Sequence, residues 1–242
     1  RDEALATVRW AAGFDFPDLT IEHELLAVTE PGTYAIERGT LGTAGGLAFP
    51  AAAFEEHVVE QQVPHSTALH ARLDGGLYLA GPLARYELNR QWLSPLALEV
   101  ADAAGLGEHC RNPFRSILVR AVEIVYAVDE ALRIIDVYEP PAKPYVEVPP
   151  RAGTGYGVTE APRGVLFHRY ELDADGTIKA AMIIPPTSQN QAAIEADLRN
   201  FVQARVDLDD EPLTAQCEQA IRNYDPCISC SAHFLDLTVD RE

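Results

Sequence analysis

The chain has 242 residues, is 47% hydrophobic and carries a formal net charge of −18 with a pI near 4.7. A length of this order builds one large domain or two small ones around a packed core, and the acidic balance argues against binding nucleic acid or an anionic membrane surface, both of which would repel it. No apolar run approaches the roughly 20 residues that span a bilayer, and the four cysteines, in no framework pattern, read as reduced thiols of a cytoplasmic protein.

Residues 4–13 predict the end of a helix stopped at Gly13 by a left-handed cap. Over residues 20–49, short β-type runs punctuated by Pro31-Gly32, Gly39, Gly42 and Gly45-Gly46 predict strands and turns laid on a helical body. Glu55, Glu56, His57 and Glu60 share helical spacing, but a solvated charged face explains them better than a ligand set. His65 and His70 read as surface or core-edge histidines. The stretch Gly81-Pro82-Leu83-Ala84-Arg85 closes this turn-rich region, with no catalytic role given to Arg85.

From Asn112 the pattern changes. Phe114, Ile117, Leu118, Ala121, Ile124, Val125, Val128, Leu132 and Ile135 recur at three- and four-residue steps. They predict an amphipathic helix of about seven turns with Asn112 as its cap and Pro113 as its first helical residue, a length that suits a bundle framing a buried site. Cys110 reads as a small buried apolar residue. Residues 140–157, rich in Pro and Gly, predict a loop. In Glu160-Ala161-Pro162-Arg163-Gly164 a proline-stiffened turn aims a permanently charged guanidinium, which by itself suits a surface salt bridge as well as a site. Residues 165–184 predict a β-hairpin turning at Asp173-Ala174-Asp175-Gly176, whose ends bring Arg163 and Pro186-Thr187-Ser188 together. His168 reads as a structural hydrogen-bonding residue beneath the arginine turn. Residues 189–206 and 211–223 predict helices, the second with Cys217 in its core face and Arg222, Tyr224 and Asp225 at its end.

The last segment, Asp225-Pro226-Cys227-Ile228-Ser229-Cys230-Ser231-Ala232-His233, holds two of the four cysteines. Pro226 makes the approach a rigid turn, and the C-x-x-C spacing lets both thiolates face one metal with His233 close behind. Two soft thiolates select Zn, Cu(I), Ni or iron over Mg or Ca. Taken bare, the motif leaves a structural zinc site, a redox thiol pair and a catalytic metal all open.

The D-P-C-x-x-C-x-x-H run resembles the C-terminal metal-binding signature of nickel-iron hydrogenase large subunits. In the same family order stand Gly81 to Arg85, Asn112-Pro113-Phe114-Arg115-Ser116-Ile117-Leu118, Glu160 to Gly164 and Pro186-Thr187-Ser188-Gln189-Asn190. The likeness is greatest to cytoplasmic multi-subunit bidirectional enzymes of the NAD(P)-coupled or sulfhydrogenase type. It implies a mainly α (α+β) fold, a long-helix bundle with small β-hairpins, with residues 1–242 as a single domain of the large subunit. It also implies a nickel-iron centre whose iron carries CO and CN ligands, and reversible cleavage of H2. On this resemblance Cys227 is a terminal nickel ligand and proton-accepting base, Cys230 bridges nickel and iron, and His233 binds a magnesium ion. Arg163, next to Pro162, stabilises charge at the open coordination position, Asp225 orients it, and Thr187, with Ser188 as the near alternative, hydrogen-bonds a cyanide. The implied partners are an iron-sulfur small subunit that holds the iron-sulfur clusters, further electron-transfer subunits, nickel-insertion factors and a maturation protease that cuts after His233. No dinucleotide fingerprint occurs here, so reducing a soluble carrier such as NAD(P) falls to other subunits.

One departure stands out. The family holds nickel with four thiolates, and the first pair comes from an N-terminal R-x-C-G-x-C, whereas the other cysteines here, Cys110 and Cys217, stand alone. The expectation is therefore the C-terminal part of a longer large subunit, supplying half the thiolate set, inactive in isolation and, with residues 234–242 attached, unprocessed. Two further readings stay open on the sequence: a non-catalytic hydrogenase-like protein that binds partners, and a structural zinc protein using Cys227, Cys230 and His233.

Overall fold

The structure, a computed structural model, describes residues 1–227 and 235–240. Its elements in chain order are α1 (Asp2–Ala12), β1 (Glu24–Thr29), β2 (Thr40–Thr43), β3 (Ala48–Phe49), α2 (Phe54–His57), β4 (Val58–Gln61), β5 (His70–Leu73), β6 (Tyr78–Ala80), α3 (Pro82–Asn89), α4 (Pro95–Ala103), α5 (Ser116–Asp136), β7 (Gly153–Ala161), β8 (Gly164–Leu172), β9 (Ile178–Ile184), α6 (Pro186–Gln203) and α7 (Asp210–Arg222). The class is mixed helix and strand, with small sheets set against the helices.

Strand β1 divides the interior. It is the continuous apolar run Leu25-Leu26-Ala27-Val28, and because side chains alternate across a strand, Leu25 and Ala27 join a helical core while Leu26 and Val28 join a second core on the other face. The helical core is built from α1, α3, α4 and α5 with Ala4, Val8, Tyr86, Ala97, Leu118 and Val122. The second lies under the sheet of order β3-β2-β1-β6, where Leu41 and Phe54 meet Val165 and Phe167 of β8. Fully burying one Leu or Phe side chain contributes about 1.5–3 kcal/mol, so these two faces of β1 anchor both halves of the chain.

Caps define several helix starts. Ser94 accepts from Ala97 N at 3.2 Å ahead of α4, and Asn112 accepts from Phe114 N at 2.9 Å, as expected of its cap position. Pro113 opens a single 3-10 turn that leads into α5. Helix α1 ends differently from expectation. Gly13 has a φ of −80° and is right-handed, its N–H bonding Trp10 O within an ordinary turn.

Helix α5 also corrects its predicted stripe. It buries Leu118, Val119, Ala121, Val122 and Val125, while Ile117, Ile124, Leu132 and Ile135 lie outward, Ile135 being 67% exposed. The helix is apolar on two sides, and periodicity merged a core face with an uncovered one. Val137, Tyr138, Tyr145, Val146 and Val148 extend the uncovered surface.

The predicted hairpin is strands β8 and β9, with Phe167 opposite Ile184. It gains a third strand, because residues 153–161, partly assigned to a loop, form β7 and pair with β8 from Gly153 opposite Leu172 to Ala161 opposite Gly164. Pairing along its whole length overrides the low strand propensity of Gly153, Gly155 and Gly157. Helix α6 begins at Pro186, so Thr187 and Ser188 lie in its first turn. Among the described residues no helix is long and apolar enough to cross a membrane.

Candidate metal centre

The tight turn Ala161-Pro162-Arg163-Gly164 joins β7 to β8. It sits against the corner between β6 and α3, and two glycines allow the approach. A Cβ on Gly81 (φ 116°) would lie 2.8 Å from Arg163 O, and one on Gly164 (φ 133°) would lie 2.7 Å from Ala80 Cβ. Only glycine adopts these φ values without strain and leaves that room.

The turn's carbonyls are held one by one. Arg85 donates through Nη1 to Ala161 O at 2.9 Å and through Nη2 to Pro162 O at 3.1 Å. Asn190 donates to Arg163 O at 3.0 Å while its own oxygen accepts from Ala80 N at 2.8 Å. Gln189 donates to Val165 O at 2.6 Å. With its backbone fixed from three sides, Arg163 presents its side chain from a rigid base.

Arg85 is itself locked. It forms ion pairs with Glu123 at 2.6 Å and with Glu160 at 3.0 Å, its side chain 4% exposed against 17% and 1% for the carboxylates. Tyr34 donates to Glu123 at 2.6 Å, and Val28 N donates to Glu160 at 2.8 Å. Burial acts to lower the Arg85 pKa, but Glu123 and Glu160 outweigh it and hold the guanidinium well above its ordinary value. Burial raises the Glu160 carboxyl against the pull of Arg85 and the Val28 N–H. A buried cation with two carboxylates is stable only when all are satisfied, and here each has a partner.

The C-terminal segment reaches the turn from α7. Ser116 donates to Asn223 O at 2.6 Å, and Tyr224 donates to Asp197, whose other oxygen lies 2.6 Å from His23 Nε2. Asp225 then adopts φ 51°, a left-handed conformation that aspartate tolerates better than most residues. In this pose its backbone carbonyl accepts from Arg163 Nε and its carboxylate lies 3.3 Å from the same nitrogen. Cys227, two residues on, is half-buried and free of disulfide. A small cleft beside the arginine turn is lined by Arg120, Arg163, Asn190, Asn223 and Tyr224 among others. Burial pulls the Arg120 guanidinium below its ordinary value, while the charge of Asp225 opposes that shift.

Of the residues predicted from sequence, the structure brings Arg163, Pro162 and Asp225 together, with Cys227 adjoining. Cys230 and His233 lie outside the described residues. At the start of α6, Ser188 is buried and donates to Pro185 O at 3.0 Å, while Thr187 is half-buried. His168 does not support the arginine turn. Its Nδ1 lies 3.4 Å from the Tyr170 hydroxyl on β8. Arg85, Glu160, Asn190 and Arg120 were not assigned to the site from sequence. Gly81 and Gly164, which flank two of the quoted motifs, were the signal that the turn and the α3 corner touch.

Residues 117–233 match the family model described as nickel-dependent hydrogenase. The chain is 34% identical over 215 residues to sulfhydrogenase 1 subunit alpha of Pyrococcus furiosus, covering 88% of this chain and 50% of that one. The chain belongs to the nickel-dependent hydrogenase family. It is also 30% identical over 170 residues to the NAD-reducing hydrogenase HoxS subunit beta of Cupriavidus necator, covering 66% of this chain and 35% of that one. The fold matches a chain in a crystal structure of an NAD+-reducing NiFe-hydrogenase in the H2-reduced state with a TM-score of 0.70 at 23% identity, over 96% of this chain and 56% of that chain. The chain thus spans about half the length of the hydrogenase relatives it matches, or less.

The described residues fit the group that this family name implies. Cys227, in no disulfide and two residues beyond the Asp225 that contacts Arg163, offers a soft sulfur donor, which suits nickel or iron rather than a hard cation. Two guanidinium groups, of Arg120 and Arg163, line the cleft and offset negative charge such as thiolates bring. No described carboxylate is among the named cleft-lining residues.

Proposed function

We propose that this chain is the C-terminal part of the catalytic large subunit of a nickel-iron hydrogenase, forming one domain with the remainder of that subunit, and that it takes part in the reversible heterolytic cleavage of H2. The contact between Arg163 and Asp225 carries the proposal, because it ties the arginine turn to the segment that leads, two residues on, into Cys227. In this reading Cys227 and Cys230 supply two of four thiolates, His233 binds magnesium, and the iron carries CO and CN ligands. The outward apolar face of Ile124, Ile135, Tyr138 and Val146 supports an extensive interface with further protein.

When bound, the nickel-iron group supplies the Lewis acidity that polarises H2. The chain's own residues handle charge and protons. The Cys227 thiolate accepts a proton and releases it again, since metal binding lowers a thiol's proton affinity. Arg163 stabilises negative charge in the cleft, and Asp225 fixes its orientation through a charge-assisted contact. Thr187 is the better donor to a cyanide, because the Ser188 hydroxyl is engaged with Pro185 O. Arg85 is a positioning residue that acts through the turn. Electrons pass to an iron-sulfur small subunit and further electron-transfer subunits in the cytoplasm, after nickel-insertion factors and a maturation protease have acted.

The test is H2-dependent reduction of an artificial acceptor by the assembled complex from its native host, with infrared detection of CO and CN. Both signals are expected. A stable assembled complex with neither would leave a partner-binding or zinc protein.

A further inference from the structure

We propose that His65, His70 and Glu195 form a binding site for one borderline divalent transition-metal ion, with zinc as the principal candidate. The reading does not depend on the hydrogenase proposal. The three residues come from three elements: His65 from the loop between β4 and β5, His70 from the start of β5, and Glu195 from α6. One ligand atom from each lies within 4.8 Å of the other two. His65 Nε2 is 3.0 Å from Glu195 Oε2, and His70 Nε2 is 3.2 Å from Glu195 Oε1. Ligand atoms about 2.0–2.2 Å from a tetrahedral zinc stand about 3.3 Å apart, so both separations already approximate the edge of a zinc polyhedron. The rings are nearly perpendicular, at 83°, with centroids 5.6 Å apart, so they approach one point from two directions.

A simple pair of ion contacts explains the cluster less well. His70 is 5% exposed, and its Nε2, although close to Glu195, has no hydrogen bond of acceptable geometry and is left unsatisfied. A buried ring nitrogen without a partner keeps its full desolvation penalty, and a cation between it and the carboxylate removes that penalty. The loop that carries His65 is also prearranged: Gln62 donates to Val63 O at 3.2 Å and to Ser66 O at 3.0 Å, and the Ser66 hydroxyl accepts from Ala68 N at 3.1 Å. Two imidazoles and one carboxylate are a borderline donor set that suits zinc, nickel, copper or iron better than calcium or magnesium. Three protein ligands leave a fourth position open to water.

Such an ion would staple the loop between β4 and β5 to α6. Glu195 lies two turns beyond Thr187, about 12 Å along the helix axis, so the ion would brace the helix that carries Thr187 and presents Asn190 to the cleft.

The assembled complex, stripped of loosely held metal with a mild chelator, would be dialysed against zinc and compared with His65→Ala and Glu195→Gln. His65 is 64% exposed in its side chain, so its truncation removes little packing. The expected result is one more zinc per large subunit in the native protein than in either variant, with affinity weakened about tenfold or more in each. Cobalt in place of zinc should give visible ligand-field bands without a thiolate charge-transfer band, which separates this site from the cysteines. Zinc should also raise the melting temperature of the native complex. Equal zinc content in all three proteins, or no bound ion and no thermal shift in the native complex, would overturn the proposal.

Discussion

Arg163 Nε lies 3.3 Å from the carboxylate of Asp225 and donates to the backbone carbonyl of the same residue, across 62 positions of chain. One end of this contact is fixed by a β-turn whose carbonyls Arg85 and Asn190 hold. The other is fixed by a left-handed residue at the end of α7. The contact therefore reports on two independently anchored segments, and its chemistry depends on both.

Arg163→Lys should lower H2 turnover by about 100- to 1000-fold, the scale for losing a preorganised charge stabiliser, since an ammonium cannot reproduce the planar fork. Stability should change little, because both side chains are more than a third exposed and such pairs are screened. Turnover and nickel content of the assembled complex, measured together, check this; loss of nickel would assign Arg163 a structural role instead.

Arg85→Met should destabilise the fold by about 3–5 kcal/mol, the scale for breaking a buried ion pair, because Glu123 and Glu160 lose their shared cation. Adding Glu123→Gln and Glu160→Gln should recover part of the loss. Denaturant melts of the three proteins decide the point, and equal stability of all three would contradict it.

Gly81→Ala should cost about 1–3 kcal/mol, since its φ of 116° is strained for alanine and the new Cβ meets Arg163 O at 2.8 Å. It should also lower turnover, because the displaced backbone carries Arg163. A variant with native melting temperature and native rate would mean that the turn yields without consequence.

Thr187→Val should shift the cyanide stretching bands in the infrared, whereas Ser188→Ala should leave them in place, since the Ser188 hydroxyl already donates to Pro185 O. The opposite pattern would exchange their roles.

Much of the fold was legible locally. The Asn112 cap, the Pro113 start, the hairpin turn at residues 173–176 and the α7 limits all rest on short-range chemistry, and the structure bears them out. Strand β7 was not legible, because its glycines have low strand propensity and only β8 makes them a strand. The orientation of α5 was misjudged for a related reason: Ile117 and Ile124 continue the helical period although they face away from the core. Within the site, Arg163 and Asp225 were legible from motifs. The network of Arg85, Glu123 and Glu160 was not, because its partners lie 38 and 75 positions apart and only the folded chain places them together.

The central claim is that Cys227 belongs to a nickel-iron centre. The most direct test is elemental analysis of the full-length protein from its native host beside its Cys227→Ser variant. Nickel and iron in near-equal amounts in the native protein, with nickel lost from the variant, is the predicted result. Zinc without nickel, or nickel unchanged by the substitution, would contradict it.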